Sequence, residues 1–171
     1  MSWKLTAAVA TTATLIALAV ALLPPTDLLT QLRSATYIAY YPWGLVAADG
    51  SHAYAEVGPY RVALNLWKIV ICDGGCTSQD INAIQLYAQL KAQGQLIIED
   101  RGGGCYHTQL KPTHLAARTI AADVTFCLQR GIPTRIDGTV TIDEHEIKLG
   151  GEPHIEPTFP MDKYLEIHEK T

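Results

Sequence analysis

Residues 64–107 read LNLWKIVICDGGCTSQDINAIQLYAQLKAQGQLIIEDRGGGCYH: two short apolar runs, each ending in a glycine turn, with a helical stretch between them. The run 67–72 is of the uninterrupted kind that a sheet buries on both faces. Thr77 and Asp80 stand at capping-box spacing, which predicts a helix beginning near Thr77. Asn82, Gln85 and Gln89 would form its narrow polar face, with Ala83, Ile84, Leu86, Tyr87 and Leu90 covered. Gly94 supplies a C-terminal stop, and 95–99 returns as a second strand. A right-handed crossover would make the two strands parallel and place both glycine turns at one end. The expected fold class is therefore α/β, with α+β as the alternative: a small mixed-sheet domain built on one βαβ unit with flanking hairpins.

The net charge of −4 comes without any basic run, which argues against nucleic acid as a partner, because phosphate binding draws on clustered Lys and Arg. No cofactor motif is present. Residues 5–23 carry no charge, and Pro24-Pro25 ends the run. A secretory signal would cleave at the small residues 17–19 or 19–21. A retained anchor would use the same nineteen residues to cross about 30 Å of hydrocarbon, and the length favours it. Four threonines within the run leave it moderately apolar and suit packing against other membrane helices. Lys4 before the span, with no positive cluster just after it, puts the amino terminus in the cytoplasm and the rest outside.

A short surface helix is expected at 27–33. Tyr37, Tyr40, Tyr41 and Trp43 then follow, placed for the headgroup interface or for the core of a first strand. Residues 44–57 read as a hairpin around Asp49-Gly50. Pro112 marks a helix start, Leu115, Ala117, Ile120, Val124, Cys127 and Leu128 recur at helical spacing, and Gly131 with Pro133 closes that helix. Asp137-Gly138 signals a second hairpin, and 147–149 adds a short strand. Residues 150–160, with two glycines and three prolines, read as an extended arm, and 161–171 as a short terminal helix or a disordered tail. The chain is thus expected to divide into an anchor at 1–25, a juxtamembrane segment at 26–43, an extracytoplasmic domain at 44–149 and a C-terminal arm at 150–171.

Ligands of an open parallel sheet bind beyond the carboxyl ends of its strands. Asp73, Gly74 and Gly75 in one turn, with Arg101, Gly103, Gly104 and His107 in the other, are therefore the candidate ligand-binding residues, since exposed glycine N–H groups can line an anion site. No catalytic residue and no metal ligand is assigned. Four cysteines suit an oxidising compartment. Pairing Cys105 with Cys127 and Cys72 with Cys76 is preferred, Cys72–Cys105 being the rival. A Cys₃His zinc set from Cys72, Cys76, Cys105 and His107 is a further alternative. The other histidines (52, 114, 145, 154 and 168) are scattered, and Glu144, His145 and Glu146 sit at a turn.

The sequence Ile71-Cys72-Asp73-Gly74-Gly75, some twenty helical residues and a strand ending in a glycine turn resemble the core of Clp-type serine proteases and crotonase-like enzymes over residues 68–107. The resemblance implies that Gly74 and Gly75 supply oxyanion N–H groups. Where that family has its serine, this chain has Gly104 or Cys105. It therefore implies an exported hydrolase-like protein or an inactive relative. The residues as a whole point instead to a non-enzymatic, single-pass accessory subunit of a membrane or envelope complex. Its partners would be the bilayer and other membrane subunits, met through the anchor and the C-terminal arm.

Overall fold

The computed structural model describes residues 35–170; the expected anchor at 5–23 and surface helix at 27–33 lie outside them. No helix among the described residues is long and apolar enough to cross a membrane.

The domain is α+β and rich in antiparallel sheet. Six strands form a meander: β1 (Tyr37–Tyr41), β2 (Gly44–Ala48), β3 (Ala53–Val57), β4 (Tyr60–Leu64), β5 (Lys68–Cys72) and β6 (Cys76–Asp80). Helix α1 (Ala83–Ala92) leads to a second sheet of β7 (Leu96–Gly102), β8 (Cys105–Leu115), β9 (Arg118–Gln129), β10 (Ile132–Ile142) and β11 (His145–Leu149). The short β12 (His154–Glu156) returns to pair with β1, and α2 (Met161–His168) follows. The sheet orders are β12-β1-β2-β3-β4-β5-β6 and β11-β10-β9-β8-β7.

Strict alternation in the first sheet builds two cores. Tyr37, Ala39, Val46, Ala55, Val62, Ile69 and Ile71 face Leu110, Ile120, Val124, Phe126, Ile136 and Val140 of the second sheet, with Leu86 and Leu90 of α1 closing the sandwich. The opposite face, through Ile38, Leu45, Ala47, Tyr54, Ala63 and Val70, is covered by Tyr164 and Ile167 of α2. Burial on both faces is why these strands carry almost no polar alternation. The second sheet is buried on one face only, and its strands alternate accordingly.

Several expectations are corrected here. The βαβ unit is not formed: β5 pairs antiparallel with β4 and β6, and β7 is the edge strand of the other sheet. The reason is local, since the turn at 73–75 folds the chain straight back and sets Cys72 opposite Cys76. The capping box at Thr77 therefore becomes strand, and α1 starts at Asn82, whose side chain accepts the Gln85 N–H at 3.1 Å. Its end is as expected: Gly94 has φ 70°, and Gln95 N–H bonds Leu90 O at 2.9 Å in a Schellman arrangement.

The helix expected after Pro112 is a hairpin of two long strands, β8 and β9. Ile120, Ala122, Val124 and Phe126 are buried at period two, and the β-branched and aromatic residues there favour strand. Asp137-Gly138 lies inside β10 and is not a turn; the hairpin falls at Asp143-Glu144. The hairpin expected around Asp49-Gly50 forms, with a four-residue loop at 49–52 closed by the Asp49 N–H on His52 O. Tyr37 and Tyr41 are core residues of β1, not members of an interfacial belt. Part of the expected arm also makes ladder pairs, Ile38↔Glu156 and Tyr40↔His154, so it borders the first sheet.

Candidate functional site

The candidate residues fall at two separate places. The turn at 102–104 precedes Cys105, the first residue of β8, while the turn at 73–75 lies beside Arg118, just past the far end of β8. Eleven residues of strand separate them, about 30 Å at the usual rise. Asp73, Gly74 and Gly75 thus do not meet Arg101, Gly103, Gly104 and His107. The Cys₃His set is split in the same way, and among the described residues no three His, Cys, Asp or Glu side chains converge as a metal would need. All four cysteines are paired, Cys72–Cys76 at 2.07 Å and Cys105–Cys127 at 2.04 Å, each pair spanning directly opposed strand positions. Cys105 therefore has no free thiol. The strand–helix–strand unit behind the resemblance to Clp-type and crotonase-like enzymes is absent.

At the first place Arg118 joins the two sheets. Its guanidinium donates to both oxygens of Asp73, at 2.6 and 3.0 Å, and to Asp143 Oδ2 at 2.9 Å. Asp143 Oδ1 also accepts the Thr119 N–H at 3.1 Å. The guanidinium lies 5.9 Å from the centre of the Tyr60 ring, whose hydroxyl donates to Ile142 O at 3.3 Å and meets His145 Nδ1 at 3.0 Å. The Asp73 bonds, then the Asp143 bond, hold the Arg118 pKa above its ordinary value. The same guanidinium holds the Asp73 carboxyl low. At Asp143 burial works the other way, but the bonds from Arg118 and Thr119 outweigh it and the pKa is lowered. With its side chain only 16% exposed and two carboxylates already bound, Arg118 is a clamp between sheets and not an open anion site. No local signal in the sequence links Asp73 to a residue 45 positions later.

The second place is the open face of the five-stranded sheet. His107 Nε2 is 2.7 Å from Asp123 Oδ1, and Gln109 donates to Asp123 Oδ2 at 3.3 Å. Arg101 lies 3.3 Å from His107 Nδ1 and pairs with Glu99 at 2.8 Å. Nδ1 thus faces Arg101 while Nε2 faces Asp123. The His107 bond holds the Asp123 carboxyl below its ordinary range. This network orients the imidazole, while Cys105, two residues away in the sequence, is held in its disulfide with Cys127. Asp123 has no partner motif in the sequence; only the β8/β9 register brings it to His107.

The other histidines divide by place. His114, His145 and His154 are exposed, whereas His52 and His168 are half-buried around Tyr164, at ring-centre distances of 4.8 Å each. Compared with protein-family models and with curated proteins, the chain matches none.

Proposed function

We propose that this chain is a membrane-anchored, extracytoplasmic interaction subunit of a membrane or envelope complex, with its amino terminus inside and the α+β domain in the periplasm or extracellular space. The observation that carries the reading is the pairing of all four cysteines in two disulfides, in a domain that follows nineteen uncharged residues. Disulfides are compatible with an oxidising, extracytoplasmic setting. The anchor would pack against membrane helices of partner subunits. The open face of the five-stranded sheet, with Glu99, Arg101, His107, Gln109 and Asp123, offers the domain a polar contact surface.

Fractionation and labelling test this. The full chain should stay in the membrane pellet after alkaline carbonate extraction. A Lys170→Cys variant should react with an impermeant maleimide on intact cells. Release by carbonate removes the anchor, and protection at position 170 with labelling at position 2 inverts the topology.

A further inference from the structure

The backbone registers align one rim of the seven-stranded sheet. Tyr37 pairs with Ala48, Ala48 with Ala53, Ala53 with Leu64, and Leu64 with Ile69. Lys68 and Asp80 close the row. Ala35 enters β1 at this rim, and the β4–β5 turn projects from it. That turn exposes Leu66 at 40% and Trp67 at 64%, and Ile84, in the first turn of α1, is 55% exposed. An indole this open is unusual in a domain whose other large aromatics are mostly covered.

Much of the turn's backbone is also bonded within the protein. Trp67 N–H donates to Asn65 Oδ1 at 2.8 Å, and Lys68 N–H donates to the same oxygen at 2.9 Å. Leu66 O accepts the Ala83 N–H at 3.1 Å, and Trp67 O accepts the Ile81 N–H at 2.8 Å. Unsatisfied backbone groups are what keep irregular loops out of apolar surroundings, and here the Trp67 and Lys68 N–H groups and the Leu66 and Trp67 carbonyls are already bonded. The turn is therefore a pre-ordered apolar tip with the Leu66 and Trp67 carbonyls turned inward.

We infer that the Leu66-Trp67 turn, with Ile84 beside it, docks into the headgroup interface of the lipid bilayer. The inference rests on the anchor reading and deepens it by naming the rim that faces the membrane. Two observations favour lipid over a protein partner. Residues 24–34 are all that lies between the uncharged stretch and Ala35. Even fully extended, they reach no more than about 40 Å. The β4–β5 turn is three to four strands from β1, about 15–20 Å across the sheet, so the tip lies within reach of the plane to which the chain is tethered. Tryptophan is the side chain that this layer favours, because its apolar body carries one N–H donor. Lys68 and Asp80 oppose one another at the rim and Asp49 adds a negative charge, so neutral headgroups suffice.

The test uses the full chain reconstituted in phosphatidylcholine vesicles, with and without acyl-chain bromination. Subtracting the emission of Trp67→Phe isolates Trp67 from Trp3 and Trp43; Trp67→Tyr gives the same subtraction should the phenylalanine variant fold poorly. The expected result is a blue-shifted difference spectrum, quenched by brominated lipid, shielded from iodide and unchanged by salt. A red difference spectrum quenched by iodide overturns the inference while vesicle flotation of the chain leaves the anchor standing. A blue spectrum untouched by bromine overturns it too, in favour of a protein or a second copy covering the turn. Failure of the chain to float with the vesicles defeats both readings.

Discussion

Ala117 holds φ at 62° with a Cβ, and Gly138 holds 130° without one. The first completes the two-residue turn between β8 and β9, where Ala116 is also left-handed at 44°. Such turns usually take Asn-Gly, so two alanines give no turn signal, and the sequence there reads as continuous helix. At Gly138 the opposite happens: Asp137-Gly138 looks like a turn but lies inside β10. A Cβ there would stand 2.1 Å from Asp123 O on β9, so the glycine serves close strand approach. Gly138→Ala should therefore cost about 3 kcal/mol, combining left-handed strain with a backbone clash. Ala117→Gly, at an exposed position, should gain roughly 1 kcal/mol by relieving strain. Urea midpoints at unchanged m-value measure both, and a neutral Gly138→Ala would mean that β9 and β10 lie further apart than described.

Elements were legible where one pattern stood alone. The hairpin around Asp49-Gly50 and the Gly94 stop are legible because a turn residue coincides with a change of period. Residues 118–129 satisfy two periods at once: Ile120, Val124 and Leu128 fit a helix, while Ile120, Ala122, Val124 and Phe126 fit a strand. Only the partner strands decide between them. The tail at 150–170 was illegible for another reason. Its role depends on the outer face of a sheet formed a hundred residues earlier, against which α2 sets Tyr164 and Ile167. That docking should depend on pH. The His168 ring stacks on Tyr164, and its Nε2 is buried without a hydrogen-bond partner among the described residues. Burial holds its pKa below the ordinary 6.5, with Lys68 and His52 acting in the same direction; the Lys68 bond and Glu169 oppose them. The unfolded chain then binds the proton first as pH falls. Stability from this site is complete above 6.5 and is lost on descending towards the lower folded value. Amide exchange in α2 should speed up between neutral pH and pH 5 relative to that in β9, and His168→Gln should flatten the difference. Equal acceleration in both elements would locate the acid response elsewhere.

Across the whole molecule, the two preferred cysteine pairs are both formed, and each lies within a single sheet. Cys127 fits the helical spacing of its neighbours in sequence, yet its pair bridges opposed residues of β8 and β9. Cys72–Cys76 likewise closes one hairpin. Neither bridge crosses between the sheets, which meet through the apolar core, the Arg118 clamp and the hydroxyls of Tyr41 and Tyr60 bonded to Pro133 O and Ile142 O. Reduction should therefore weaken the domain without taking the sandwich apart. By loop-closure entropy the 22-residue separation contributes about 3 kcal/mol and the 4-residue one about 2 kcal/mol. Cys105→Ala with Cys127→Ala should accordingly lower the urea midpoint more than Cys72→Ala with Cys76→Ala. Both double variants should still unfold in one transition, because the core between the sheets is untouched. Two separated transitions would show that a disulfide, not the shared core, couples the sheets. Intact mass after alkylation supplies the second check: material from its native compartment should take up label only after reduction, and four reactive thiols before it would remove the oxidising setting on which the extracytoplasmic reading stands.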